Sequence, residues 1–459
     1  MKNITASKKI LVVAILLAAA FVSILNQTLL LIAMPPIMHD FHIDANLAQW
    51  LTTVYLLTNG ILIPITAFLI GRFSNRLLLM SALSLFSIGT ILGAFAPSFT
   101  VLLVARVIQA AGAGIIMPLM QTVLLFMYPK EQRGSVMGLA GLVTGFAPAV
   151  GPTLAGWVIE HFTWRHLFYM VFPASIAVLL LVVLFMRNVT PQKNGQLDSL
   201  SIALSSLGWG GLLYGFSLAG TVGFTDAQVF VPLGGGGIAL YVFIKRQLAL
   251  ANPMLEFRVF QSKTFTISTI LSSLVYALMI GTQILLTFYI QNVRGLSALE
   301  TGLVLFTGAL VMGFMSPVTG KIFDKIGGKE LAIVGFSLIV LATSMLVTVT
   351  MNTALWLLAL LFTFISLGIA MIMMPLTTAG MNALPTNLMA HGTAMNSTLR
   401  MVGGAIVTAL LVTVMSTVIT FREQDVLEVA MLQGIQIAFI TATLLSICGL
   451  VLSFFIVQE

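Results

Sequence analysis

The sequence predicts an all-α integral membrane protein that crosses the bilayer fourteen times, and three observations carry that prediction. Of its 459 residues, 59% are hydrophobic and only 8% charged, whereas a soluble domain carries about a quarter charged residues. The chain divides into fourteen apolar runs, most of them near the roughly 20 residues that a membrane helix needs. Finally, Lys and Arg alternate between crowded and nearly empty inter-span segments.

The first run, 10–34, follows Lys2, Lys8 and Lys9 and contains Ala18-Ala19-Ala20, a pattern shared with cleaved signal peptides. It outlasts the roughly 7–15 residue core of such a peptide, so it reads as the first span. Runs 49–70, 77–96, 99–124, 134–158 and 164–186 complete a group of six. Two more, 199–219 and 228–244, lie beside the longest polar stretches, 187–198 and 245–263, and the second is short and interrupted by Gly234 to Gly237. A second six follows at 264–290, 301–320, 331–350, 353–376, 393–417 and 432–456. The expected organisation is a six-helix bundle over 1–190, two linking helices over 191–263 and a second bundle over 264–459.

Cationic residues orient the chain, because they are retained on the cytoplasmic side. With the N-terminus inside, the inner segments hold sixteen of the 21 Lys and Arg, among them Arg72, Arg76, Lys130, Arg133, Lys193, Lys321, Lys325 and Lys329. The outer loops hold only Arg165, Arg294 and Arg422, while Arg106 and Arg400 fall inside spans. An odd helix count would scramble this segregation. Both termini are therefore expected in the cytoplasm.

Composition also excludes functions. The net charge of +7 sits in short clusters and forms no basic face for nucleic acid. Cys448 is the single cysteine, so no intrachain disulfide can form. No Walker phosphate loop is present, which removes ATP as the direct energy source. No His and acid spacing matches a helix-borne metal pair, and no cofactor or metal is expected. An intramembrane enzyme or sensor would need a nucleophile–base pair or metal ligands within the spans; His391 stands alone near the start of span 13.

Two inner loops look like copies of one element, as in transporters built from repeats. One runs Gly71-Arg72-Phe73-Ser74-Asn75-Arg76; the other carries Gly320, Asp324, Gly327, Gly328 and Lys329. Two unrelated tight turns are the plainer alternative. Span 4 carries Arg106, Gln109, Gly112 and Gly114; span 5 carries Gly141, Gly145, Gly151-Pro152 and Gly156. Small residues at this spacing let helices approach closely, and Pro bends a span. Packing accounts for span 5 more readily than for a cation buried in span 4.

Together these motifs resemble the major facilitator superfamily, in particular its fourteen-helix drug/proton antiporter branch. The second inner loop looks like its Gly-x-x-x-Asp-x-x-Gly gating motif, Arg106 and Gln109 its helix 4 motif, and Gly151-Pro152 its helix 5 antiporter motif. The stretch Gly392 to Gly404, with Asn396 and Arg400, is similar to a helix 13 signature. Asn26-Gln27-Thr28-Leu29-Leu30 looks like the lincomycin-resistance-type exporters within that branch. The resemblance implies alternating access in a bacterial cell membrane, protons and small amphipathic molecules as partners, and a monomer. Two departures matter: Asn26 stands where most members carry an Asp tied to proton coupling, and Asn75 replaces the Asp of a shortened first gating loop.

No acid falls at the bilayer midplane, which singles out the two intramembrane arginines. Asn26 lies eight residues before the outer end of span 1 and Arg106 seven past the outer start of span 4. At a rise of about 1.5 Å per residue both sit roughly 10–12 Å deep. Asn26 and Gln27 can thus meet Arg106 and Gln109 in one net-positive cavity that prefers neutral or anionic amphiphiles. Alternatively, Arg106 only props its helix. Asp40, Glu160 and His161 are candidate proton sites at the outer ends, although ordinary solvated loops explain them more simply. A drug exporter is the leading expectation, with a dedicated exporter of an anionic metabolite (fatty acid, bile acid or nucleotide) beside it.

Overall fold

The computed structural model describes residues 6–192, 198–422 and 426–456; Lys2, Lys193, Glu423, Asp425 and Glu459 lie outside them. Among the described residues, fourteen helices are long and apolar enough to cross a membrane, and the regular structure is helical throughout. The first seven helices are α1 (Ala6–Ile32), α2 (Met34–Phe41), α3 (Ala45–Arg72), α4 (Asn75–Ala94), α5 (Phe99–Met127), α6 (Arg133–His161) and α7 (Arg165–Phe185). Then come α8 (Ser199–Val222) and α9 (Ala227–Ala249). The remainder are α10 (Lys263–Phe288), α11 (Ala298–Ile326), α12 (Gly328–Leu346), α13 (Leu355–Asn382), α14 (Met389–Phe421) and α15 (Leu427–Ser453). The short α2 is the helix that does not span.

Helix starts follow local chemistry. Asp44, Ser74, Ser98, Asp226 and Ser262 each accept a backbone N–H in the first turn of α3, α4, α5, α9 and α10. Ser297 and Glu300 form a reciprocal capping box on α11. Such caps satisfy donors that the helix itself cannot. Helix α6 differs, since the Gln132 side chain at its cap position makes no cap hydrogen bond.

The helices run further at the cation-bearing end than the apolar runs alone suggest: α11 continues to Ile326, α13 to Asn382, and α14 begins at Met389. Hydropathy undercounts these turns because they are polar. The expected break in the eighth span is corrected as well. Helix α9 continues through Gly234 to Gly237, and Gly236 seats against α8, where a Cβ would stand 3.0 Å from the Gly208 carbonyl oxygen. Away from water, the backbone groups of a glycine run have no better partner than the helix.

Lys9 lies over the Tyr128 ring at 5.8 Å, and Ile456 lines a cleft with Lys130. Both described ends of the chain thus sit at the same, basic, end of the molecule. Helices α8 and α9 pack on each other, and α8 also lies against α3 and α14. Asp198, just before α8, takes two bonds from Arg246 of α9, at 2.6 and 3.0 Å. That guanidinium holds its carboxyl down at about 2. The most extensive helix pairing joins α6 to α11.

Candidate functional site

Close approach defines the α6–α11 pair. Gly134, Gly138, Gly141 and Gly145 occupy one face of α6 at helical spacing. A Cβ at Gly138 would lie 2.6 Å from the Ser316 carbonyl oxygen, one at Gly145 2.9 Å from the Gly313 nitrogen, and one at Gly320 2.2 Å from the Gly134 carbonyl oxygen. These are backbone-to-backbone contacts that no larger residue allows. Gly151 is also tight, but against Thr28 of α1, at 2.1 Å from its Oγ1. Gly156 meets nothing within 4 Å, so its expected place in a tight interface is corrected. Pro152 stays inside α6 without ending it.

At the basic end of this pair, Asp324 accepts from the Gly134 and Ser135 backbone N–H groups, both at 2.8 Å, and from the Ser135 hydroxyl. The α6 terminus that lacks a local cap thus receives one from α11. The negative carboxylate also faces the positive end of the α6 dipole. Arg133 reinforces the junction by donating to Asn382 Oδ1 at 2.8 Å, and Thr122 meets Thr393 through their hydroxyls at 2.7 Å. A cleft of about 470 Å³, lined by Lys130, Glu131, Asp324, Asn382 and Ile456, lies at this end.

The two loops that look alike in sequence behave differently. In the second, Gly327 adopts φ +84°, a left-handed conformation that favours glycine, and joins α11 to α12; Lys329 falls in the first turn of α12. In the first, α3 ends at Arg72 and α4 already begins at Asn75. The Asn75 side chain accepts from the Val189 and Thr190 N–H groups at 2.8 and 2.9 Å, and Arg76 donates to the Val183 carbonyl. This loop therefore clasps the segment after α7. A Cβ at Gly71 would meet nothing within 4 Å.

Deeper in, Arg106 is 1% exposed and fully engaged. Its Nη1 donates to Gln109 Oε1 at 2.9 Å, its Nε to the Leu51 carbonyl at 3.4 Å, and its guanidinium lies 4.1 Å from the Tyr55 ring centre. A desolvated contact of this last kind contributes about 2 kcal/mol. Gln109 donates in turn to Thr90 Oγ1 at 2.9 Å and to Asn26 Oδ1 at 3.5 Å. Asn26 and Arg106 do meet in one cluster, with Gln109 as the bridge. Gln27 is half-buried and outside the bonds described for that cluster. Asn26 Nδ2 and the Tyr55 hydroxyl are buried without a well-formed hydrogen bond, the phenol lying beside the Ser23 and Asn26 side chains.

The second intramembrane cation has thinner support. Arg400 contacts Met373 Sδ at 3.9 Å and the Tyr276 ring at 5.1 Å, and its buried Nε has no partner. One turn away, Asn396 donates to Ser272 Oγ at 2.9 Å. Sequence reasoning singled out neither Tyr55 nor Tyr276. Each is a phenol inside an otherwise apolar run, which was the available signal.

At the opposite end, Asp40 accepts from Arg165 Nη1 at 2.5 Å and Trp164 Nε1 at 3.1 Å. The Arg165 guanidinium holds the Asp40 carboxyl below its usual range, so it stays ionised. Glu160 and His161 are exposed at the end of α6, where His161 Nδ1 lies 2.9 Å from the Trp157 carbonyl. Among the described residues no group of three or more His, Cys, Asp and Glu could hold a metal.

Comparison with known proteins agrees with this architecture. The profile of the Major Facilitator Superfamily matches residues 16–408. The chain is 55% identical over 443 residues to the uncharacterized MFS-type transporter YcnB of Bacillus subtilis, covering 96% of this chain and 94% of that one. It is 39% identical over 456 residues to the lincomycin resistance protein LmrB of Listeria monocytogenes, covering 97% and 96%. The crystal structure of the human organic anion transporter MFSD10 superposes with a TM-score of 0.70 at 13% identity, over 98% of this chain and 100% of that chain, and so shares its fold. The chain is a multi-pass membrane transporter, not an enzyme, and it belongs to the Major Facilitator Superfamily.

Proposed function

We propose that the protein is a secondary exporter of amphipathic drugs, lincosamide-like and other, that accepts neutral and anionic molecules and is driven by the proton gradient. The observation that carries the reading is the detachable junction at the basic end. There, one carboxylate, Asp324, caps a helix from the other half of the chain, with glycine backbones in contact beneath it. Such a contact can break as a unit and reform, which is what alternating access requires. Two six-helix bundles, 1–190 and 264–459, rock about it, with α8 and α9 between them in sequence. The basic end faces the cytoplasm, both termini included, and the monomer is the working unit. Relatives named for lincomycin resistance and multidrug transport support the cargo class.

Proton coupling takes an unusual route in this reading. Among the described residues no carboxylate lies in the middle of a span, and Asn26 is an amide. Asp40 is a poor carrier because Arg165 keeps it charged. Glu160 and His161 remain, at the far end of the same helix that Asp324 caps.

Everted membrane vesicles loaded with the protein test the reading. Lincomycin and a panel of neutral, anionic and permanently cationic amphiphiles should accumulate inside when an inward-acid gradient is imposed. Accumulation should stop when the gradient is collapsed, and permanent cations should be the poorest cargo. Uptake indifferent to the gradient would sink proton coupling, and no uptake of any amphiphile would sink the exporter.

A further inference from the structure

We infer that Arg400, rather than Arg106, is the cargo-recognising cation, and that it takes the acid group of an organic anion. The inference rests on the exporter reading above and names a substrate class for it. Arg400 lies eleven residues into the 33-residue α14 from Met389, about 16 Å along the helix from its basic end. Thr393 of the same helix touches Thr122 of α5 across the two halves of the chain. Seven residues further, nearly two full turns, Arg400 returns to that face.

What surrounds it is incomplete. Arg106 has two oxygen acceptors and an aromatic face at 4.1 Å, and is sealed at 1% exposure. Arg400 has a thioether at 3.9 Å, an aromatic face at 5.1 Å, an unpartnered Nε and 7% exposure. Among the described residues no carboxylate lies within 4 Å of either guanidinium. Arginine stays charged in proteins, so it cannot escape the cost of burial by losing its proton. A buried charge without a countercharge is costly, and an arriving anion offsets that cost.

The flanking groups choose among anions. Carboxylate, sulfonate and phosphate oxygens match the guanidinium fork two at a time. Met373 and the Tyr276 ring offer a soft apolar wall to whatever carries that acid, as thioether and aromatic groups do. Met373 also lines a small cavity with Gly141 of α6 and Met312 of α11. That void is water-sized, about 10 Å³, so an amphiphile held by Arg400 would have to part the two halves at their joint to occupy it. A small inorganic anion satisfies the charge but leaves that wall without a role.

Equilibrium binding to purified full-length protein tests this without depending on transport direction or coupling. The probes are dansyl-undecanoic acid and its primary amide, read by dansyl fluorescence. Wild type should bind the acid at least tenfold more tightly than the amide. Arg400→Gln should lose that preference while still binding the amide, which also reports that it is folded; Arg400→Lys should keep most of it. Equal affinity of wild type for acid and amide overturns the inference, as does a preference that survives in Arg400→Gln. Loss of the preference in Arg106→Gln but not in Arg400→Gln moves the site to Arg106. Acid binding that 100 mM chloride abolishes and gluconate spares marks a small-anion site, and overturns the organic-anion reading. Should vesicle export fail while this preference holds, the exporter reading falls and the subsite stands.

Discussion

At the scale of single residues, charge decides which contacts matter. Asp324 makes three bonds to one helix terminus, and its charge lies where the dipole favours it. Asp324→Asn keeps an acceptor but removes the charge. Losing the charge at a helix N-terminus and one of the two accepting oxygens costs about 1–2 kcal/mol, a shift of about five- to thirtyfold toward separation of α6 from α11. Spin labels on the basic ends of α6 and α11 should report a larger separated population, and turnover should slow more than substrate affinity falls. An unchanged distance distribution would remove Asp324 from the gate. Its acidity and its place near an inner loop were legible in the sequence, but nothing in one sequence says that α11 carries it to the uncapped start of α6. The Asn26, Gln109 and Arg106 cluster was legible for a simpler reason. Depth in a membrane can be counted from the ends of the spans, and side chains at equal depth on neighbouring helices meet. Tyr55 and Met373 were not legible as partners, because rotation of a helix about its axis is set by packing against neighbours.

Elements show the same division between what counting gives and what packing gives. Fourteen spans follow from hydropathy, but the small residues along α6 do not all share one neighbour. Gly145 faces the backbone of α11, Gly151 faces Thr28 of α1, and Gly156 faces open space. The sequence shows small residues at helical spacing and cannot say which face holds them. The consequences separate cleanly. Gly145→Leu forces α6 from α11 and should abolish transport while the protein still inserts. Gly156→Leu should transport at close to the wild-type rate, since a Cβ there meets no neighbour within 4 Å. Measuring export and surface expression of both variants checks this; equal loss of transport by the two would mean that α6 acts through lipid contacts and not through its glycine face. Repeat symmetry is broken at this scale too. The first loop ends α3 two residues before α4 starts, which pulls Asn75 into a helix start and turns it toward the segment at Val189 and Thr190. The second keeps Asp324 in the last turn of a helix, free to reach across.

For the whole molecule, the cationic residues and the gate lie at the same end, and this links topology to mechanism. An even number of spans returns the chain to the side where it began, in keeping with Lys9 near Tyr128 and Ile456 near Lys130. If that end is cytoplasmic, the junction capped by Asp324 is closed toward the cytoplasm in this structure, and an exporter, as proposed above, would have to break it to load cargo. Labelling tests the orientation directly, and Cys448 is the one native thiol to remove. In a Cys448→Ala background, Lys325→Cys, exposed at the basic end, should resist an impermeant maleimide applied to intact cells and react once they are permeabilised. Phe224→Cys, 41% exposed between α8 and α9 at the opposite end, should react in intact cells. Three helices long and apolar enough to span, α9, α10 and α11, separate these two positions, an odd number that puts them on opposite sides of the membrane. Reaction of Lys325→Cys from outside would invert the topology. The gate would then close toward the exterior, and the same rocking motion would begin from the opposite state of the cycle.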